Sequence, residues 1–416
     1  MPSDPATSAL MSRPRVRVEP ARRLASVLEP VIPRVGALTA AHPGTLSMAQ
    51  GMVDWGPPAA VLAAVQAELA AAGADAARAA SLDRYGPMQG DPPLLEALAA
   101  HLRREHGLDL ESSALLVTAG SNMAFQALMQ VLCDPGDEVI LPAPWYFNHV
   151  MAVQLAGGVP VLPDAGLLPD PQRLAAAITS RSRAIVTVSP NNPSGVVIPP
   201  ETLAAINALC SRHGLLHISD EAYAVFVHGQ VPHWSPGAAP GAAAHTVTLQ
   251  SFSKAYGMAG WRLGYAALPQ RLLAALAKVQ DTDLICPPRL TQRAALAALA
   301  AGTAWLGPRL ETIRHRRDQL VLALRSAAER GLPASLLRDP DGAFYALLQV
   351  RTPLTGLELV ERLIREHGVA VLPGESFGLP ATGEGAVLRL SYGLLAPERL
   401  QDALERLCAG IRVVAS

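Results

Sequence analysis

The chain has 416 residues, half of them hydrophobic, with Lys+Arg 34 against Asp+Glu 35 and a formal net charge of −1. That length allows one large domain and a smaller one at roughly 100–200 residues each, and the balanced charge gives no reason to expect a nucleic acid or an anionic membrane as partner. No run reaches the roughly 18 apolar residues of a membrane helix, and the scattered cysteines (Cys133, Cys210, Cys286, Cys408) and histidines lack the spacing of a disulfide framework or a metal site, as in a reduced cytoplasmic protein.

Residues 1–35 are rich in proline and arginine and read as an N-terminal arm, with a helical stretch around Ala21–Leu28. Met11 is an alternative start, and the basic segment after it lacks the apolar run and cleavage site of a signal peptide. Residues 36–70 are expected to form the N-terminal part of a small domain, 71–307 a large domain and 308–416 the C-terminal small domain. In the large domain short apolar runs alternate with amphipathic stretches. Leu94–Arg104 predicts a helix, Ala114–Thr118 a strand, and a helix follows Gly120-Ser121-Asn122 through Leu132. Glu138–Leu141, Val159–Leu162 and Ala184–Val188 predict strands, Pro200–Arg212 a helix, Leu215–Ser219 and Thr246–Gln250 further strands. Such alternation predicts an α/β fold with a mostly parallel sheet flanked by helices. Two long helices with a break at Gly307-Pro308 come next. After them, strands at Ala343–Val350, Val369–Leu372 and Ala386–Leu390 and helices at Gly356–Glu366 and Pro397–Cys408 predict a smaller α+β domain.

The chemistry gathers at strand tips, where open α/β sheets bind ligands. In Ser251-Phe-Ser253-Lys254 a lysine stands among hydroxyls, and Arg262 follows in a glycine-rich turn. A lysine in such a setting can form an imine with an aldehyde, and Ser251, Ser253 and Arg262 can hold a phosphate beside it, which together fit pyridoxal phosphate. Gly120, Ser121 and Asn122 open a helix whose first N–H groups also suit phosphate. Asp220 can pair with a protonated pyridine nitrogen, while Asn192 and Tyr223 can donate to the ring oxygen. Each feature has a plain alternative: a solvated turn at Lys254, an N-cap at Asp220, a turn at Asn191-Asn192-Pro193-Ser194-Gly195. An aromatic ring from Trp145-Tyr146-Phe147 can stack on the pyridine or pack into the core. Arg389, between Leu388 and Leu390 on a strand, needs an anionic partner, either a structural acid or a substrate carboxylate.

These segments, with Asn192-Pro-Ser-Gly195, Asp220-Glu-Ala-Tyr223, Tyr85 with Gly90, and Leu388-Arg389-Leu390-Ser391, resemble the class I/II aminotransferases of pyridoxal-phosphate fold type I. The likeness runs from about Gln50 to Arg412. It implies an aspartate-aminotransferase-like large domain with a seven-stranded sheet, and pyridoxal 5'-phosphate bound to Lys254. By the resemblance, Asp220 partners the pyridinium, Asn192 and Tyr223 contact the ring oxygen, and Tyr146 rather than Trp145 stacks on the ring. Arg389 binds the substrate α-carboxylate in a pocket lined by Gly51. Tyr85 reaches the phosphate of a neighbouring subunit, which implies a homodimer with shared sites. The implied reaction moves an amino group between an L-amino acid and a 2-oxo acid. A C–S lyase, cyclase, decarboxylase or oxidase would use the same motifs, and a non-catalytic ligand sensor would share the fold. The resemblance also puts the side-chain pocket near the arm, Tyr85–Gln89 and the partner's 281–291 segment, which holds Asp281, Asp283 and Arg289. The apolar character around Met52 and Trp55 favours an apolar or aromatic substrate side chain.

Overall fold

The computed structural model describes residues 19–164, 166–381, 383 and 385–415, so Met11 and most of the arm lie outside the described residues. A seven-stranded sheet runs in the order Ser113–Thr118, Gly264–Pro269, Thr246–Ser251, Leu216–Asp220, Ser182–Val188, Glu138–Ile140, Val159–Val161. Only Gly264–Pro269 runs antiparallel to its neighbours. Alternate residues of one strand enter different cores. Ala114 and Leu116 pack with the helix Ser121–Leu132, whereas Leu115 and Val117 pack with the helix Pro92–His106. The sheet is therefore apolar on both faces, as its near-continuous Val/Ile/Leu runs require.

A second unit holds an antiparallel sheet, Leu372–Pro373, Ala386–Ser391, Tyr345–Val350 and Ala334–Leu336 in that order, under the helices Gly356–His367 and Pro397–Val414. Thr355 caps the first of these helices by accepting from Glu358 N, and left-handed Gly368 ends it. The expected strand Val369–Leu372 is split: Val369–Ala370 pairs instead with Leu46–Ser47 in a short parallel ladder.

Several boundaries differ from expectation. Val31–Ala40 is a helix whose Val31 and Val35 join the core of the second unit. The stretch around 21–28 holds a 3-10 helix, Arg22–Ser26, with no buried residue. Helix Ala59–Ala74 inserts Val61 among Leu94, Leu98 and Ala294. The break in the long helical run Arg289–Glu329 falls at Gly302, with φ 60 and ψ −161, and not at Gly307-Pro308. That backbone region is essentially closed to residues with a Cβ, so glycine supplies the break. Pro308 removes one backbone donor from the second helix without ending it. No helix among the described residues is long and apolar enough to cross a membrane.

Candidate active site

The C-terminal tips of the central strands open onto one cavity, lined by Gly51, Ser121, Asn122, Tyr146, Asn192, Asp220, Tyr223, Ser251, Ser253, Lys254, Arg262 and Arg389. Of the residues expected at the site, Gly120 and Tyr85 are not among the lining residues. Tyr85 is 78% exposed. Gly120 abuts the site's arginine: a Cβ there would lie 2.5 Å from Arg262 Nη2.

Lys254 Nζ donates to Gly51 O at 2.6 Å. Burial, and then the charges of Arg389 and Arg262, lower its pKa to about 8 against an opposing pull from Asp220. A sizeable neutral fraction near neutral pH makes it a nucleophile. Asp220 is buried at the end of Leu216–Asp220, and His149 Nε2 lies 3.1 Å from its Oδ2. Asp220 Oδ1 also accepts from Ala222 N at 3.1 Å.

The helix Ser121–Leu132 starts at Gly120 (φ 90) without a side-chain cap, so its first donors face the cavity side uncapped. Arg262 holds a left-handed backbone (φ 52) and, among the described residues, binds the carbonyls of Ala259 and Ala119, at 2.9 and 3.3 Å, and no carboxylate. A guanidinium without a carboxylate beside an uncapped helix start suits a phosphate. Ser251 Oγ accepts from Ser253 N at 3.1 Å and holds the turn between them.

Arg389 is 1% exposed. It donates to Asn192 Oδ1 at 3.0 Å and to the carbonyl of Ala49, stacks over Tyr345 and Phe377, and has no carboxylate partner among the described residues. A buried cation satisfied only by neutral acceptors is poised for an anionic ligand. Of the adjacent asparagines, Asn191 holds the turn by accepting from Ser194 N and Oγ, which frees Asn192 for the cavity. Tyr146 turns into the cavity, with its hydroxyl accepting from Asn148 at 2.8 Å. Trp145 turns away and packs on Gly378, where a Cβ would collide with its indole.

Sequence reasoning passed over three lining or supporting residues. Tyr345 hydrogen-bonds Tyr223 hydroxyl to hydroxyl at 2.7 Å; burial, then Tyr345, keeps the Tyr223 phenol well above its usual range. Its signal was available, since Tyr345 begins the strand that pairs with the one bearing Arg389. His149, stacked on Phe125, stands one helical turn after Tyr146, a spacing too common to single out. Ile32 reaches the cavity from the helix Val31–Ala40. Arg289, in the segment expected near the side-chain pocket, forms a local ion pair with Asp91 and donates to the carbonyl of Ser81. Together the lysine, the phosphate-suited pole and the buried acid match the demands of pyridoxal phosphate.

The sequence profile of the family described as "Aminotransferase class I and II" matches residues 46–407. A probable aspartate/prephenate aminotransferase of Thermus aquaticus is 40% identical over 338 residues, 79% of this chain and 84% of that protein. An aromatic aminotransferase of Arabidopsis thaliana is 33% identical over 94% of this chain and 95% of its own length. Among solved structures, the aspartate aminotransferase of Thermus thermophilus with maleate superposes with a TM-score of 0.83 at 34% identity, covering 94% of this chain and all of that one (100%).

Proposed function

The chain belongs to the class I and II aminotransferases, and on that premise we propose how its residues divide the work and which substrates they accept. It is a pyridoxal-phosphate-dependent transaminase of fold type I, acting on amino acids and 2-oxo acids. Bound pyridoxal phosphate supplies the carbon that takes the amino group and a ring that draws electrons from the bond broken at the substrate Cα.

Lys254 Nζ would hold the cofactor's aldehyde carbon and, as a free amine, would be the base placed to move the substrate Cα proton. Its lowered pKa supports this work, because the base must be neutral. Asp220, backed by His149, keeps the ring nitrogen protonated. Asn192 and Tyr223 would donate to the cofactor's ring oxygen, and Tyr146 would supply an aromatic wall for the ring. Ser121, Asn122, Ser251, Ser253 and Arg262, with the backbone at Gly120, take the phosphate. Arg389 binds the substrate α-carboxylate with Gly51 as floor; a Cβ at Gly51 would meet the Tyr345 hydroxyl, so only glycine fits.

The observation that carries the substrate reading is a count of charge. Among the described residues, the cations lining the cavity are Lys254, Arg262 and Arg389, and the scheme above employs all three. Ile32 and Tyr146 add apolar wall. The amino acid accepted best therefore has a neutral, apolar or aromatic side chain. Tyr85, exposed on its own protomer, supports a homodimer in which it completes the neighbour's phosphate site. The free cysteines support a cytoplasmic enzyme. The reading is tested by assaying a panel of amino acids with 2-oxoglutarate and measuring glutamate: phenylalanine, leucine or methionine should exceed aspartate in kcat/KM.

A further inference from the structure

Behind the site, on the other face of the sheet, lies a buried carboxylate with more donors than any acid in the cavity. Glu221 is 1% exposed. Its Oε1 accepts from Ser235 Oγ at 2.7 Å, and its Oε2 from Gln250 Nε2 and His233 Nε2, each at 3.2 Å. His106 Nδ1 stands 3.4 Å from the same Oε2, and Gln250 Nε2 lies 3.4 Å from His106 Nε2. Burial alone would raise the carboxyl's pKa, but His106 and His233 outweigh it and hold it at about 2. The group stays ionised.

Two adjacent strands feed this cluster. Leu216–Asp220 and Thr246–Ser251 pair in parallel, and Glu221 N extends their ladder by donating to Leu249 O at 2.9 Å. Side chains alternate along a strand. Asp220 and Ser251 face the cavity, while their immediate neighbours Glu221 and Gln250 face the cluster. The Gln250–Glu221 bond thus fixes, from behind, the separation of the two strand tips. His106 ties in the end of helix Pro92–His106, and His233 and Ser235 tie in the loop after Tyr223.

We propose that Glu221 is a positioning residue: its hydrogen-bonded cluster with Gln250, His233, Ser235 and His106 sets the distance between Asp220 and Ser251, and so between the pyridinium partner and the phosphate cup. The proposal rests on the roles assigned above to Asp220 and Ser251. Two histidines and a glutamate with ligand atoms within 4.8 Å of one another could also hold a divalent cation. The donors already on both carboxylate oxygens favour the hydrogen-bonded arrangement, because a cation would displace them.

Glu221→Gln puts an amide among donors that need an acceptor. His233→Gln keeps an N–H donor, and His233→Leu removes it. Each is purified, its apo form melted, and pyridoxal phosphate titrated by visible absorbance. We expect Glu221→Gln to bind the cofactor about tenfold more weakly and to release it faster on dialysis, with His233→Leu changed in the same direction and His233→Gln close to the parent. If Glu221→Gln does not fold, the His233 pair carries the test. Unchanged cofactor affinity in Glu221→Gln or His233→Leu, with only a lower melting temperature, would overturn the proposal. So would stoichiometric stabilisation of the parent apoprotein by Zn2+ that Glu221→Gln lacks. Loss of cofactor attachment in Lys254→Ala tests the underlying site separately, and that result does not depend on Glu221.

Discussion

His149 Nε2 stands 3.1 Å from Asp220 Oδ2, with its imidazole stacked on Phe125 at 4.1 Å between ring centroids. The aspartate thus sits against an imidazole that is itself locked by packing. Its remaining oxygen accepts from Ala222 N, so the carboxylate has little freedom to rotate. Asp220→Asn keeps the shape and removes the charge. We predict a fall in kcat of about 10²–10³-fold, the scale of losing one preorganised electrostatic contact. His149→Leu should fall less, because the carboxylate remains. Single-turnover kinetics on cofactor-saturated protein check both.

Lys254 sets the pH dependence of cofactor loading. With a pKa of about 8 in place of 10.5, roughly one molecule in ten is neutral at pH 7, against about one in three thousand for an ordinary lysine. Only the neutral amine attacks, so the loading rate of the apoprotein should rise with pH up to about 8 and level off above it. Stopped-flow absorbance measures this. A rate still rising tenfold per pH unit at pH 9.5 would place the amine in its ordinary range.

Arg389 should govern substrate binding more than cofactor binding. Charge-assisted hydrogen bonds contribute about 1.5–3 kcal/mol, so Arg389→Lys, which loses the planar fork, should raise KM for the amino acid about 10–100-fold. The absorbance of the bound cofactor should be little changed. Steady-state kinetics with a spectrum of the same sample separate the two.

The two glycines near the helix break predict opposite outcomes. Gly302→Ala forces a side chain into φ 60, ψ −161, at a cost of about 1–3 kcal/mol, although nothing lies within 4 Å of the added Cβ. Gly307→Ala sits within the helical run with equal room and should be neutral or stabilising by up to about 1 kcal/mol. Thermal melts of the two variants decide which glycine is the break.

That break is also a measure of what the sequence made legible. Gly307-Pro308 is the stronger local signal for ending a helix, yet the chain continues through it, because packing of the flanking turns outweighs one lost hydrogen bond. Strands and helices of the large unit were readable because they are buried on regular periods, and Asn192, Asp220 and Lys254 because they follow strand ends. The packing of Ala59–Ala74 was not readable: the helix is almost uniformly apolar and alanine-rich, so no face marks what it packs against. Tyr345 and His149 reach the site only through pairing and stacking between segments distant in sequence. The exception is Arg389, whose strand neighbours foretold its burial while its partners Asn192 and Ala49 came from elsewhere.

The central claim is that Lys254 carries the cofactor. The chain has two lysines, Lys254 and Lys278, the second exposed on the helix Leu273–Asp283. Borohydride reduction of the loaded enzyme followed by peptide mass mapping will fix the attachment point. The account predicts the pyridoxyl mass on the peptide containing Lys254 alone, with loss of the visible band in Lys254→Ala. Label on Lys278, or an unlabelled protein that still transaminates, would contradict it.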